Sequence, residues 1–89
     1  MAKFAAVVSY TTDAARLQEV RPEHRENLKA LLDAGKLYES GPFLDGSGAL
    51  IIYEAEDLAE AQTMLANDPF SKAGLITGAT IREWNIVFR

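Results

Sequence analysis

Cysteine is absent from the 89 residues, which removes disulfides, thiol nucleophiles and cysteine-ligated metals together and leaves stability to packing. Histidine is almost as scarce. His24 stands alone, so zinc sites of the His₂ or His₃ kind are excluded, and no acidic run has the spacing of a calcium loop. No protein-bound metal is expected. No apolar run approaches the roughly 18 residues of a membrane span, and Met1-Ala2-Lys3-Phe4 does not open an apolar segment ending in a cleavage site. These absences predict a cytoplasmic protein without a membrane partner. Positive charge is also short: 9 Lys and Arg stand against 13 Asp and Glu, for a net charge of −4. With basic residues scattered singly along the sequence there is no footprint for a phosphate backbone and no basic amphipathic helix, so nucleic acid is not an expected partner. Gly41, Gly46 and Gly48 form no G-x-G-x-x-G turn, and no phosphate loop with G-K-[ST] occurs. No cofactor is expected, and any ligand should be small.

What is present is an ordinary globular balance, 48% hydrophobic and 25% charged, at a length that suits one domain spanning residues 1–89. Phe4 to Tyr10 alternates with β-branched and aromatic residues and reads as a strand. Thr11-Thr12-Asp13 supplies capping residues, after which Leu17, Val20, His24, Leu28 and Leu31 recur on one helical stripe. Pro22 fits an early position of the main helix, with Ala14 to Val20 as a short lead-in and Gly35 as the residue that closes it. Leu37 to Phe43 and Gly48 to Tyr53 form a second and third strand joined at Asp45-Gly46. Asp57 with Glu60 opens a second helix, which Asn67-Asp68-Pro69 ends. Thr80 to Phe88, with Trp84, Ile86 and Phe88 on one side, completes the pattern as a last strand.

The order β-α-β-β-α-β is that of a ferredoxin-like α+β fold, a four-stranded antiparallel sheet with two helices on one face. Two helices cannot cover both faces. Because Val7, Ile52 and Val87 add apolar character to the side that the helices leave open, a homodimer packed through that face into a barrel-like core is expected, with Ile52→Asp as its probe.

Histidine is the side-chain type that ordinarily exchanges protons near neutral pH, so His24, on the inward stripe, is the candidate for acid/base work. It could equally be a half-buried histidine bonded to a backbone carbonyl. Asp68, in a turn fixed by Pro69 and beside Phe70, itself a candidate substrate-binding residue, is the candidate carboxylate partner; capping Ser71 or Lys72 is its alternative use. Ser40-Gly41-Pro42-Phe43 interrupts a strand and can let a ligand approach, with Phe43 as a wall, or can mark a bulge that bends the sheet. Arg21, one turn before His24, can bind an anionic group or pair with Glu19 or Glu23.

Taken together, Arg21-Pro22-Glu23-His24, Ala34-Gly35-Lys36-Leu37, Ser40-Gly41-Pro42-Phe43, Asp45-Gly46 with Gly48, and Asn67-Asp68-Pro69-Phe70 resemble a YciI-like, YCII-related protein over essentially the whole chain. The resemblance implies a ferredoxin-like domain that dimerises into an α+β barrel, with a His24-Asp68 site in a pocket of each subunit. Arg21 and the Ser40-Gly41-Pro42 break would line the same pocket. It further implies cofactor-independent proton transfer of lyase or isomerase type, of the kind a dehydrochlorinase of that family performs on a chlorinated hydroxyquinol. A non-catalytic dimeric module that binds a small molecule is the other expectation the residues allow.

Overall fold

Alternating exposure sets the frame. Along β1 (Ala2–Tyr10), Phe4, Ala6 and Val8 are at most 3% exposed while Val7 is 38% exposed, so the strand turns one side inward and one outward. The chain, described over all of residues 1–89 in a computed structural model, continues as α1 (Ala14–Asp33), β2 (Leu37–Pro42), β3 (Gly48–Ala55), α2 (Leu58–Ala66), α3 (Pro69–Lys72) and β4 (Ile76–Glu83). Its strands make one antiparallel sheet in the order β2-β3-β1-β4. The helices occupy one face, where Phe4, Val8, Ile51 and Tyr53 pack against Ala61, Met64 and Leu65, with Leu28 and Leu31 of α1 at the edge of this core. This is the ferredoxin-like α+β architecture that the element order predicts. The short α3 is an addition, folded from what the sequence presents as a turn.

Helix ends follow their sequence signals closely. Asp13 caps α1 by accepting from Arg16 N–H at 3.1 Å, and Asp57 caps α2 by accepting from Glu60 N–H at 2.9 Å. At the other end of α1, Gly35 takes a φ of 75° while Gly35 N–H and Lys36 N–H bond to the carbonyls of Leu32 and Leu31, the two bonds of a Schellman motif. Pro22 departs from expectation. It lies inside α1 rather than in its first turn, because the capped and helix-favouring stretch Ala14-Ala15-Arg16-Leu17-Gln18-Glu19 starts the helix early. The lost backbone bond at Pro22 costs on the order of 3 kcal/mol, and burial of Leu17 against Phe70 and Leu75 works against that loss.

The β2–β3 hairpin turns at Asp45-Gly46, where Gly46 adopts a φ of 76° and Asp45 accepts from Ser47 N–H at 2.9 Å. Those bonds from Ser47 hold the Asp45 carboxyl below its ordinary range. Gly48 is required where it stands, since a Cβ there would collide with the Val8 carbonyl oxygen of the neighbouring strand. The ladder irregularity in β2 falls between Leu37 and Glu39, ahead of Gly41 and Pro42, so the Ser40-Gly41-Pro42 segment is paired strand rather than bulge.

The last strand is the larger correction. β4 ends at Glu83 because Glu83 pairs with Phe4, almost at the start of β1, and only a Trp84 N–H to Lys3 carbonyl bond of 2.8 Å extends the contact. Trp84 to Arg89 therefore continues outside the ladder, and Arg89 comes to rest 5.4 Å from the Tyr38 ring. On this open face Ile52 is only 1% exposed, in a groove shared with Ala5, Leu50, Arg82 and Trp84. Ile52 is thus part of the folded chain's own packing, and the apolar residues left uncovered here include Val7 and Leu50, at 38% and 36% exposure, and Trp84, at 42%.

Candidate active site

His24 and Asp68, 44 residues apart in sequence, meet beneath α1. Leu17, His24 and Leu28 share the inward stripe of that helix, which turns the imidazole under α1 at 7% exposure. Asp68 is brought there by the break after α2: it is the N-cap of α3, with its side chain accepting from Phe70 N–H at 2.8 Å, and it is completely buried. Its two oxygens stand 2.8 and 3.0 Å from His24 Nδ1. Asp68 therefore partners the histidine and also caps α3, but through Phe70 N–H rather than through Ser71 or Lys72 as the sequence suggests.

This geometry assigns the proton. An ionised Asp68 is an acceptor only, and it already takes the Phe70 N–H, so Nδ1 carries the hydrogen and donates it. In the neutral imidazole, Nε2 is then left with its lone pair. Nε2 bonds to no protein group, and the one buried side-chain polar atom without a partner is Tyr53 Oη, so Nε2 is open to solvent. Phe70 lies flat against the imidazole, 3.9 Å between ring centres and 5° between planes, and Tyr10 meets Phe70 edge-on at 5.2 Å. Asp68 fixes the tautomer and Phe70 fixes the ring plane.

The free side of His24 faces a cavity of about 350 Å³ between α1 and the β2–β3 half of the sheet. Leu28, Leu37, Ala49 and Ile51 give it apolar walls, and Arg21, Ser40, Gly41 and Pro42 line it as the sequence suggests. Phe43 does not. It sits in the hairpin turn, 40% exposed, beside the open-face groove with Leu50 and Ile52, because the turn carries it past the edge of the helix-covered face. Phe70, also expected to bind substrate, does not border the cavity either, because it is buried flat against His24 and supports the ring from behind.

Three polar lining residues are not among the candidates the sequence offers for the site: Tyr10, Arg25 and Lys29. Arg25 and Lys29 follow Arg21 at helical spacing, so charges that look scattered in the sequence align as one stripe on α1. Burial, and then the negative charge of Asp68, push the Tyr10 hydroxyl above its ordinary value, while Arg21 and Arg25 pull the other way. No three His, Asp or Glu side chains come together as a metal-binding group.

Fold and site together define a ferredoxin-like protein with an oriented histidine at a small cavity. More particularly, the YCII-related domain model matches residues 2–85, and the chain belongs to that family. It is 32% identical to Protein YciI of Escherichia coli O6:H1, over 91% of this chain and 97% of that one, and equally so to Protein YciI of Shigella flexneri. Among solved structures it resembles the 5-chloro-2-hydroxyhydroquinone dehydrochlorinase TftG of Burkholderia phenoliruptrix AC1100, in complex with 2,5-dihydroxybenzoquinone, with a TM-score of 0.83, 26% identity and 93% of each chain covered. An antibiotic biosynthesis monooxygenase shares the fold at a TM-score of 0.61 and 19% identity, with 98% of this chain and 99% of that one covered. No helix is long and apolar enough to cross a membrane.

Proposed function

We propose that this chain, acting as one domain, is a cofactor-independent enzyme of lyase or isomerase type that moves a proton on a small ring-bearing or enolisable compound. The observation that carries the reading is the His24-Asp68 pair at the cavity, with Nδ1 held 2.8 Å from the carboxylate and Nε2 free. In the forward step Nε2 takes a proton from an acidic C–H or O–H of the substrate. The released electron pair moves into an enolate or expels a leaving group, and Asp68 stabilises the imidazolium that results. The same imidazolium can return the proton to another atom, which makes the step an isomerisation. The likeness to a dehydrochlorinase supports elimination from a halogenated ring as one such reaction.

The exposed Val7 and Leu50 support a homodimer through the open face, which would complete a barrel. Chloride release from 5-chloro-2-hydroxyhydroquinone, and exchange of the acidic C–H of cyclic α-hydroxyketones in D₂O, test the chemistry. His24→Ala should lower the rate by about 100-fold or more. Turnover indifferent to this change would reject acid/base catalysis by His24 and leave a small-molecule-binding module as the better account.

A further inference from the structure

The charge around the cavity runs against the charge of the chain. Acidic residues outnumber basic ones by 13 to 9, yet among the 13 residues lining the cavity Arg21, Arg25 and Lys29 are cationic and none is acidic. Lys29 is committed to Asp33, 2.8 Å from both carboxylate oxygens. Arg21 and Arg25 are not, since neither takes part in the ion pairs or side-chain hydrogen bonds of the fold; of the two carboxylates the sequence offers Arg21, Glu19 is held by Arg16 at 3.1 Å and Glu23 makes no ion pair with it. Two guanidinium groups are thus free at the rim of an apolar cavity whose inner wall carries the open nitrogen of His24.

A guanidinium presents a planar fork that matches a carboxylate with two parallel hydrogen bonds. A phosphate would be served better by converging backbone N–H groups at a helix start or glycine-rich loop, and Arg21 and Arg25 sit mid-helix, where the backbone donors are spent inside α1. A carboxylate beside the reacting atom normally opposes loss of a proton, because negative charge builds on negative charge. Paired with arginine it no longer does, and the same cations stabilise the enolate.

We propose that the cavity takes a small carboxylate-bearing compound, its carboxylate held by Arg21 and Arg25 and its acidic C–H or O–H turned toward His24 Nε2. The proposal rests on the acid/base reading of His24 for the second half of that statement only. The carboxylate requirement stands on the two unpaired arginines.

Binding rather than turnover tests it. The side-chain NMR signals of His24 are followed in the intact protein on titration with 4-hydroxybenzoate against 4-hydroxybenzamide, and with succinate against succinamide. In at least one pair the acid should shift the signals saturably and bind about ten-fold or more tightly than its neutral amide, a preference that weakens with added salt. Arg21→Gln with Arg25→Gln should erase the preference, and the Lys replacements should restore only part of it, because lysine keeps the charge without the fork. Equal binding of acid and amide, no saturable shift from either acid, or a preference that survives the double Gln variant would each overturn the proposal. Should the preference hold while turnover ignores His24→Ala, catalysis fails and the carboxylate site stands. Should the preference be missing while turnover still needs His24, the reverse applies.

Discussion

The two faces of the sheet solve opposite problems with similar residues. On the helix-covered face, Phe4, Ala6 and Val8 bury almost completely, and the same layer takes in a fully buried carboxylate. That carboxylate is tolerable because its oxygens are used: His24 and the Phe70 amide both donate to it. On the open face Val7 and Leu50 stay exposed, and four residues along each strand Lys3 and Glu54 are paired at 2.9 Å, with Lys3 over the Tyr38 ring at 4.8 Å. One face is finished by the chain itself, and the other is finished only in the small groove around Ile52. Burial therefore cannot be read from apolar character alone, since Leu50 and Ile52 are two residues apart on the same strand face and differ from 36% to 1% exposure.

Ile52 and Leu50 give the widest test of that contrast. Ile52→Asp buries a carboxylate without a partner and should cost about 4 kcal/mol or more, visible as loss of the cooperative urea transition. Leu50→Asp should leave the folded monomer within about 1 kcal/mol of its original stability, while sedimentation of the original chain as a dimer and of the variant as a monomer is the outcome expected of the proposed open-face pairing. An unfolded Leu50→Asp protein would mean that the open face is as self-contained as the covered one. On the covered face, Asp68→Leu strands the His24 Nδ1–H and removes the α3 cap, and a loss of about 3–5 kcal/mol is expected in urea melts. Asp68→Asn keeps an acceptor oxygen and should lose less, with the His24 Nδ1–H signal still seen by NMR.

The smallest effect is expected at Tyr53. Its hydroxyl is buried without a hydrogen-bond partner, so Tyr53→Phe should be neutral or stabilising at neutral pH, by about 1 kcal/mol at most. Alkali should reveal the residue. Burial, followed by the charges of Asp68 and Tyr10, raises the Tyr53 hydroxyl far above the ordinary 10.0, and Tyr10 is raised by burial and Asp68 as well. A raised folded-state value means that the folded protein holds the proton more tightly than the unfolded chain does. The resulting stability is present in full below pH 10 and falls as pH climbs beyond it, by up to about 1.4 kcal/mol per pH unit from Tyr53, with the half-exposed Tyr10 adding in the same direction. Urea melts between pH 9 and 11.5 should show that decline, and Tyr53→Phe should flatten it.

Local signals were the legible ones. Asp13, Asp57 and Gly35 mark helix ends through hydrogen bonds made within a few residues, and Asp45-Gly46 marks the hairpin in the same way. Non-local facts were harder to see. The limit of β4 depends on where β1 begins, at the far end of the sequence, so the alternation of Trp84, Ile86 and Phe88 suggests strand where no partner remains. Pro22 suggests a helix start that the upstream cap overrides. The pairing of His24 with Asp68 was approachable because each residue type narrows the other's options, whereas Arg25 and Lys29 needed only helical spacing from Arg21 to be noticed. Phe43 belongs to an attractive motif yet points away from it, since a turn can reverse a side chain's direction within one residue.

The groove around Ile52 has a practical consequence, because the residue standing in it beside Leu50 is Trp84, the chain's one tryptophan, while the one histidine lies at the cavity across the sheet. Each face thus carries its own natural label. Indole fluorescence would report the proposed association at the open face and imidazole NMR the proposed ligand in the cavity, so any communication between the two can be tested in unmodified protein, one signal for each side.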